Sequence, residues 1–572
     1  MSTGLAFPAS ATDADPRLLI GERQVAGLLI GALCLVLTVI IALPLWSLLS
    51  KSFENGDGDF VGFSNYLTYF TTPTLLASLQ NSLTVAVIST AIVIPLAYAY
   101  AYALTRTHMP AKGLFYAFAL LPIFAPSLLA AISLVYIFGN QGFLGFLLMG
   151  NSIYGPIGIV MGEVLSTFPH ALLILVTALS LTDGRLYEAA AALGTPKARV
   201  FWTITLPGTR FGLINAAFVV FTLVITDFGV PKVIGGQYEV LATDAYKQVV
   251  GQQNFSMGAV VGMILLVPAV LAFVVDKIAK RHQVALLSAR AVPYEPPANR
   301  GLALVFILFC LLIGGIIVST YGVAAWASFI QYWPYNLSLT LNNYDFGNVE
   351  PSGWQPYFNS LSMAALVSII GSALVFFGAY LIEKTKAFPR SRAVAQFLAM
   401  LPMAVPGLVM GLGYVFFFNA SWNPLSFLYG TLAILVVNTL AHFYTVSHLT
   451  ALTALKQIDG EFEAVSASLK VPFWRTFRAV TVPICAPTIL DIAVYMYVNA
   501  LTTVSAVIFL YGADSKLASI AIVHMDEAGA GASAAAMATA IMVTAIGIRV
   551  AHLILSRTVF DRLQRWRHRA AT

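Results

Sequence analysis

Twelve long apolar runs constrain what this 572-residue chain can fold into. Each run can cross about 30 Å of hydrocarbon as a helix that rises about 1.5 Å per residue. Because the chain is 59% hydrophobic and only 10% charged, it is not an ordinary soluble protein. The sequence therefore predicts an all-α polytopic membrane protein with about 12 transmembrane helices. The runs lie near 25–50, 81–105, 114–138, 156–180, 210–228, 256–275, 301–329, 359–383, 394–418, 428–451, 485–510 and 531–552.

Positive charge predicts the orientation of these runs. If the N-terminus is cytoplasmic, the inner segments hold 26 of the 31 lysines and arginines. Only Lys51, Lys232, Lys247 and Lys516 fall on the outer side, and Arg549 lies near the inner end of the last run. The positive-inside rule therefore predicts that both termini are cytoplasmic. The same distribution explains the net charge of +6 without a nucleic-acid partner.

The chain repeats itself at shifts of 276 to 280 residues. Asn65-Tyr66 matches Asn343-Tyr344, and Asn81-Ser82-Leu83 matches Asn359-Ser360-Leu361. The repeat predicts two fused halves, each with six membrane helices in the same orientation.

The predicted boundaries are a first domain at 1–285, a cytoplasmic linker at 286–300 and a second domain at 301–572. Prolines interrupt one run of each half at matching positions. They predict either bending points or static kinks. These prolines are Pro122 and Pro126, and Pro402 and Pro406.

The polar segment 183–207, between two apolar runs, predicts two short helices joined by a bend. Asp183 can cap the first helix, and Gly194 ends it. Thr195-Pro196 is typical of the N-cap and first turn of a second helix, which Pro207 then stops. Such a helix–bend–helix elbow is tied at both ends to membrane helices. It would suit the transmission of a push from a soluble partner.

This first elbow resembles the EAA loop of the permease subunits of ABC importers. The pattern of that family is E-A-A, three residues, G, nine residues and I-x-L-P. The chain matches it in full with Glu188-Ala189-Ala190, Gly194 and Ile204-Thr205-Leu206-Pro207. A spaced pattern between membrane spans rarely arises by chance, so the match is specific. The alternative is an ordinary amphipathic loop.

A second elbow at 459–483 follows the first at a constant shift of 276 residues but departs from the pattern. Glu463 stands one residue early, and Lys470 replaces the bend glycine, while Pro483 matches Pro207. We therefore predict that the second elbow docks through different contacts. We also predict that Gly194 tolerates substitution less well than Lys470, since only Gly194 is expected to need a positive φ.

The resemblance implies the transmembrane subunit of an importer in the bacterial inner membrane. It implies two ATPase subunits that grip the elbows, a periplasmic binding protein, surrounding membrane lipid and a small-molecule substrate. Glu188 would be a polar docking contact, Gly194 the bend, and the residues around Phe201 and Phe477 the part seated in an ATPase groove. No cofactor, metal or nucleic acid is expected. The sequence has no G-x-x-x-x-G-K-[ST] motif, so this chain is not expected to be an enzyme and ATP hydrolysis would belong to a separate chain.

Few ionisable groups lie in the apolar runs, where they are costly. Asp227, Asp491 and Asn215, the last two at matching positions, are candidate pathway or gate residues. Hydrogen bonding between helices is the alternative for each. His442 and His448 lie six residues apart, on different helix faces, and do not predict a metal cluster.

The resemblance leaves two solutes open. In its length and its two fused halves, the chain resembles permeases for ferric iron and permeases for 2-aminoethylphosphonate. Lys232 and Lys247 could meet an anionic phosphonate. A twelve-helix secondary transporter of the major-facilitator type also has two parallel halves but needs no matched elbows. A non-transporting scaffold leaves the elbows unexplained. The segments that look most like the aminoethylphosphonate group are 226–236, 247–248, 251–255 and 283–290.

The predicted orientation is tested with single cysteines at Ala198 and Ala479, one in each elbow, after replacement of the three native cysteines. Both should react with an impermeant thiol reagent only from the cytoplasmic side, because the charge distribution places both elbows there. The measurement compares labelling in spheroplasts with labelling in inverted vesicles. A cysteine at Asp57, on a predicted outer loop, should show the reverse pattern. Labelling of either elbow in spheroplasts would refute the orientation.

Overall fold

The computed structural model describes residues 20–286, 292, 294–296 and 299–560. Within these residues, eight helices are long and apolar enough to cross a membrane. Twelve spans result if each of four bent helix pairs counts as one. The predicted all-α polytopic fold is therefore confirmed.

The spans are numbered along the chain. Spans 1 to 6 are Gly21–Ser52, Pro73–Arg106, Lys112–Phe124 with Ser127–Phe138, Pro156–Ser180, Lys197–Gly208 with Arg210–Thr226, and Phe255–Val275. Spans 7 to 12 are Arg300–Ala327, Gln355–Glu383, Pro389–Ala404 with Gly407–Phe418, Leu432–His442 with Tyr444–Lys456, Phe473–Thr502, and Gly531–Thr558. Helices outside the spans are Ser64–Thr71, Gly184–Ala192, Gly229–Ile234, Leu241–Tyr246, Glu461–Ser468 and Ala518–Glu527. Short 3₁₀ turns lie at Gly145–Leu148, Asn342–Tyr344, Phe346–Asn348 and Ser426–Leu428. An antiparallel hairpin of β1 (Ile330–Tyr332) and β2 (Asn336–Leu339) follows span 7.

Spans 3 and 9 are broken rather than kinked. Their two helices meet at 102° and 116°. In each span a 3₁₀ turn ends in an extended residue, and Pro126 or Pro406 then precedes the next helix. Proline has no N–H to donate and disfavours helix in the residue before it. The matching prolines therefore mark true breaks in both halves.

The first span of each half packs against the other half. Tyr414 of span 9 donates a hydrogen bond to the carbonyl of Ile40 in span 1 at 2.6 Å. Span 7 likewise contacts the first half, since the ring of Phe306 lies 5.6 Å from that of Tyr102 in span 2. The two halves are therefore interlocked.

The sequence repeat returns as a repeat of hydrogen bonds. Asn65 Nδ2 donates to the carbonyl of Ser52 at 3.0 Å, and Asn343 Nδ2 donates to that of Ser328 at 3.0 Å. The tyrosine that follows each asparagine bonds the hydroxyl of the same serine at 2.9 Å. Both halves thus close the loop after their first span in the same way.

Spans 5 and 11 end at matching residues, Thr226 and Thr502, and an extended residue follows each. The prediction of a helical run from 485 to 510 is therefore wrong beyond Thr502, because residues 505–510 form turns. These turns fold back onto the broken span 9, where a Cβ at Gly411 would lie 2.7 Å from the carbonyl oxygen of Ala506. The apolar character of this segment reflects burial in the break rather than continuation of the helix.

A serine–glycine contact seals the break in both halves. A Cβ at Gly229 would collide with Ser127 Oγ, and a Cβ at Gly407 would lie 2.8 Å from Ser505 Oγ. The serine belongs to the broken span in the first half and to the filling segment in the second. Each contact therefore accommodates one side chain, whichever segment supplies it.

We predict that Gly407→Ser alone destabilises the protein by about 1–3 kcal/mol, because a second hydroxyl is forced against Ser505. Gly407→Ser with Ser505→Gly recreates the arrangement of the first half and should recover most of that loss. The measurement is the thermal unfolding midpoint in detergent. Gly315→Ser, where an added Cβ meets nothing within 4 Å, is the control. A double variant as unstable as the single one would show that the contact is not interchangeable.

Candidate functional site

The first elbow folds as two short helices joined by a left-handed bend. Asp183 accepts a hydrogen bond from the N–H of Arg185 at 3.1 Å and caps helix Gly184–Ala192, as predicted. Gly194 follows with a φ of +64°. The next helix begins after Pro196, which takes the N-cap position that Thr195 was predicted to hold.

The second elbow makes the same bend without glycine. Lys470 has a φ of +53°. In both elbows the second residue of the bend donates its N–H to a carbonyl of the preceding helix at 2.9 Å. The prediction that only Gly194 needs a positive φ is therefore wrong, because closure of the helix end sets this conformation. A lysine there costs about 1–2 kcal/mol that glycine avoids.

The helix that contains Pro207 ends one residue later, at Gly208, close to the predicted stop, whereas the helix that contains Pro483 continues to Thr502. The helices that run through them are Lys197–Gly208 and Phe473–Thr502. A five-residue π-turn, Phe201–Thr205 or Phe477–Thr481, ends two residues before each proline. This wider turn accommodates a residue that cannot donate an N–H. The first elbow joins span 5 through a bend of 64°, whereas the second continues into span 11 as one helix.

Glu463 occupies the place of Tyr187, one residue before the place of Glu188. Its side chain turns inward and forms an ion pair with Lys384 at 3.0 Å. Tyr187 also turns inward, and its ring centre lies 5.1 Å from the guanidinium of Arg106. Arg106 and Lys384 lie at the ends of the matching spans 2 and 8. Glu463 is therefore an internal anchor of the second elbow, which corrects the interpretation of Glu463 as a displaced docking glutamate.

Glu188 has an alanine as its counterpart in the second elbow. Glu188 and Ala189 are exposed, and Ala190 is buried. The residue that matches Glu188 is Ala464, which is also exposed. The elbows thus differ by the presence or absence of a surface carboxylate at this position.

Phe201 and Phe477 fasten the elbows to their own halves. The ring of Phe201 lies 6.1 Å from Tyr98 and 6.0 Å from Tyr102, both in span 2. The ring of Phe477 lies 4.7 Å from Tyr380 in span 8. Other apolar side chains therefore form the outward faces. They are Leu186, Leu193 and Trp202 in the first elbow, and Val465, Leu469 and Trp474 in the second.

Two further segments hold the elbows, and sequence reasoning missed both. In the linker, the ring of Tyr294 lies 4.4 Å from that of Tyr187, and the carbonyl of Val292 bonds the start of the first elbow helix at 2.8 Å. Glu22, at the start of span 1, accepts a hydrogen bond from the N–H of Phe473 at 2.7 Å. The first elbow is thus tied to the linker that precedes span 7, and the second elbow to the start of span 1.

The predicted residues Asn215 and Asp491 match in sequence but differ in surroundings. Asn215 in span 5 is half-buried, and its Oδ1 has no hydrogen-bond partner among the described residues. Asp491 in span 11 pairs with His552 of span 12 at 3.0 Å. For Asp491, the interhelical contact that the sequence left as the alternative is present.

Asp227 lies where span 5 ends. Its Oδ2 accepts a hydrogen bond from the N–H of Val230 at 2.8 Å and so caps the short helix that follows. Its carboxyl group faces that of Glu163, a fully buried residue of span 4. Glu163 was not among the pathway residues predicted from the sequence. The residue that matches Asp227 in the second half is Thr503. This pair of carboxyl groups therefore distinguishes the first half from the second.

Charged side chains of both halves meet at the end of the spans opposite the elbows. Lys232 of helix Gly229–Ile234 pairs with Glu527 of helix Ala518–Glu527 at 2.5 Å. Burial, together with the negative charge of Glu527, raises the pKa of Asp526 to about 6. We name this region, with Tyr246 and Phe509, the outer mouth.

Lys247 is the other lysine that was considered for an anionic solute, and it also lies in the first half. Lys247 pairs with Glu239 and is half exposed. Both of these lysines therefore have a carboxylate partner.

Comparison with known proteins places this geometry in context. The family described as binding-protein-dependent transport system inner membrane component matches residues 91–283, which include the first elbow. The putative ferric transport system permease protein FbpB 1 of Haemophilus influenzae is 28% identical over 506 residues, which cover 85% of this chain and 78% of that protein. The ferric transport system permease protein FbpB of Actinobacillus pleuropneumoniae is 28% identical over 72% of this chain and 61% of its own length.

A solved structure is also similar to part of the chain. A bacterial ABC transporter involved in the import of the acidic polysaccharide alginate has a TM-score of 0.38 and 15% identity. The similarity covers 47% of this chain and 97% of that chain. Three observations agree, namely the membrane spans, the inner-membrane-component domain at 91–283 and the transport permeases that match most of the chain's length. This chain is therefore a permease subunit of an ABC importer.

Proposed function

We propose that this subunit passes a small solute from a periplasmic binding protein to the cytoplasm, driven by two separate ATPase subunits that hold the elbows. The observation that carries this proposal is the pair of elbows. Both have the same bend, and both lead into a span that ends beside a broken span. Movement of an elbow would therefore tilt span 5 or span 11. The proposed contact surface consists of Glu188, Ala189, Leu193 and Trp202 in the first elbow, and Leu469 and Trp474 in the second.

The two halves, at 1–285 and 301–572, would form the two walls of one pathway in the bacterial inner membrane. The repeated hydrogen bonds after the first spans support this division. The contact of Glu22 with the second elbow supports a common side of the membrane for the N-terminal end of span 1 and that elbow. Asn215 and Asp227 remain proposed pathway residues. Asp491 is proposed to position span 12 through His552.

We predict that Glu188→Ala lowers substrate-stimulated ATPase activity of the reconstituted complex about tenfold. The reason is the loss of a charge-assisted hydrogen bond to the ATPase, worth about 1.5–3 kcal/mol. Ala464→Glu, which places a carboxylate at the matching position, should leave that activity near the wild-type value. Co-purification of the ATPase subunits separates loss of coupling from loss of assembly. Equal effects of the two substitutions would contradict the asymmetry.

Glu463→Ala is the structural control for this comparison. It leaves Lys384, whose side chain is 10% exposed, without its carboxylate partner and should reduce assembly. Lys384→Met combined with Glu463→Leu removes both charges and should restore assembly. An assembled Glu463→Ala complex with the same activity loss as Glu188→Ala would make Glu463 a docking residue after all.

We propose 2-aminoethylphosphonate as the solute. At neutral pH it carries an anionic phosphonate and a cationic amine. The outer mouth offers a matching pair of charges in Lys232 and Glu527, with Asp526 beside them. Ferric iron is the second candidate, because the two matched relatives are named as ferric transport permeases.

The substrate prediction is that deletion of the gene abolishes growth on 2-aminoethylphosphonate as sole phosphorus source in a strain without a second uptake system. Uptake of labelled phosphonate and of ferric iron is measured in the same strain. The expected result is loss of phosphonate uptake with unchanged iron uptake. Lost iron uptake with normal growth on the phosphonate would assign the importer to iron.

A further inference from the structure

We propose that Lys232 and Glu527 form a gate latch that holds the outer mouth closed between the two halves. The inference rests on the proposed import function, since a gate has meaning only for a subunit that opens to a binding protein. It is independent of which solute is carried.

The ion pair joins segments that belong to different halves. Lys232 lies in the short helix that follows span 5, and Glu527 ends the helix that leads into span 12. Nζ and Oε1 are 2.5 Å apart, and the side chains are 21% and 46% exposed. The pair therefore spans the seam at its solvent-accessible edge.

Aromatic contacts across the same seam lie beside the ion pair. The Nζ of Lys232 is 4.6 Å from the ring centre of Tyr246. That ring lies 6.1 Å from the ring of Phe509, which belongs to the second half. Beside the ion pair, the seam is thus packed by one aromatic ring from each half.

The latch is one-sided. Leu241 and Ala518 match, because each donates its N–H to the matching serine, Ser82 or Ser360, at 2.7 and 2.8 Å. By this register, Glu527 corresponds to Val250, and by the elbow register, Lys232 corresponds to Ile508. The repeat therefore places two apolar residues where the latch has two charges. An ion pair at this point is a departure from the repeat, as expected of a residue pair with a role of its own.

A second ion pair on the same side of the membrane shows the contrast. Lys516 and Glu350 are 2.9 Å apart, and their side chains are 18% and 4% exposed. Both residues belong to the second half. This pair stabilises the fold of one half and does not have to break when the halves separate, so it is the matched control for the latch.

The exposure of the latch suits reversible opening. Partly exposed ion pairs contribute little free energy, so a modest competing interaction can replace them. A docked binding protein, or a solute with both charges, can supply a new partner for each side chain. Removing one charge should therefore shift the closed–open balance of the outer mouth about two- to fivefold towards open.

The experiment measures the width of the outer mouth by pulsed electron paramagnetic resonance in the full chain reconstituted with its ATPase subunits. Spin labels are attached to cysteines at Asn151 in the first half and Ala528 in the second, both exposed, after replacement of the native cysteines. Lys232→Met and Glu527→Gln should each add a longer distance component without ATP. Lys232→Glu with Glu527→Lys should restore the single short distance.

Lys516→Met, which breaks the ion pair within one half, should leave the distance distribution unchanged. An unchanged distribution in both Lys232→Met and Glu527→Gln would overturn the latch. So would equal broadening in Lys516→Met, or a charge exchange that fails to restore closure. Because the distance is read without turnover, failure of ATP to change it in the wild-type complex would count against the import function and leave the latch standing.

Discussion

A bilayer offers no water to backbone groups, so each break in a membrane helix must be satisfied and filled by protein. This constraint organises the structure. Spans 3 and 9 break at angles above 100°, and the segments that follow spans 5 and 11 fold into the gaps. The serine–glycine contacts show how little space remains there. Spans 5 and 11 carry the elbows at their other ends, so these close contacts lie at the far end of the helices that a partner would move.

Much of the fold follows from sequence because the thickness of the hydrocarbon layer sets the length of the helices. The distribution of lysine and arginine likewise predicts on which side of the membrane each loop lies. The twelve runs, the repeat and the bend after Ala192 all depend on local composition or local capping. The exceptions depend on what packs nearby. The turns at 505–510 are as apolar as a membrane helix, because they fill a break in span 9. Lys470 adopts a glycine-like φ because the preceding helix must close.

The candidate site was predictable in position and less so in detail. Successive helix positions differ by about 100°, so a shift of one residue exchanges an outward side chain for an inward one. Glu463 and Glu188 look alike in sequence because they lie within one residue of matching positions. For the same reason only Glu188 faces outward. The contacts that tie the elbows could not be predicted, since Glu22 lies 451 residues from Phe473 and belongs to no recognisable motif. The ion pair at the outer mouth likewise depends on how two distant halves meet.

The interlocked first spans have a consequence for biosynthesis. Span 1 leaves the ribosome before any of spans 8 and 9, yet Leu33 and Ile40 of span 1 contact those later spans. Until they are made, the inner face of span 1 must remain against lipid or an insertion chaperone. The first half cannot reach its final packing during its own synthesis. A chain truncated before residue 400 would contain spans 1 to 8 but lack most of span 9, so the face of span 1 that packs against span 9 would stay uncovered. Membrane quality-control proteases could recognise such an uncovered face.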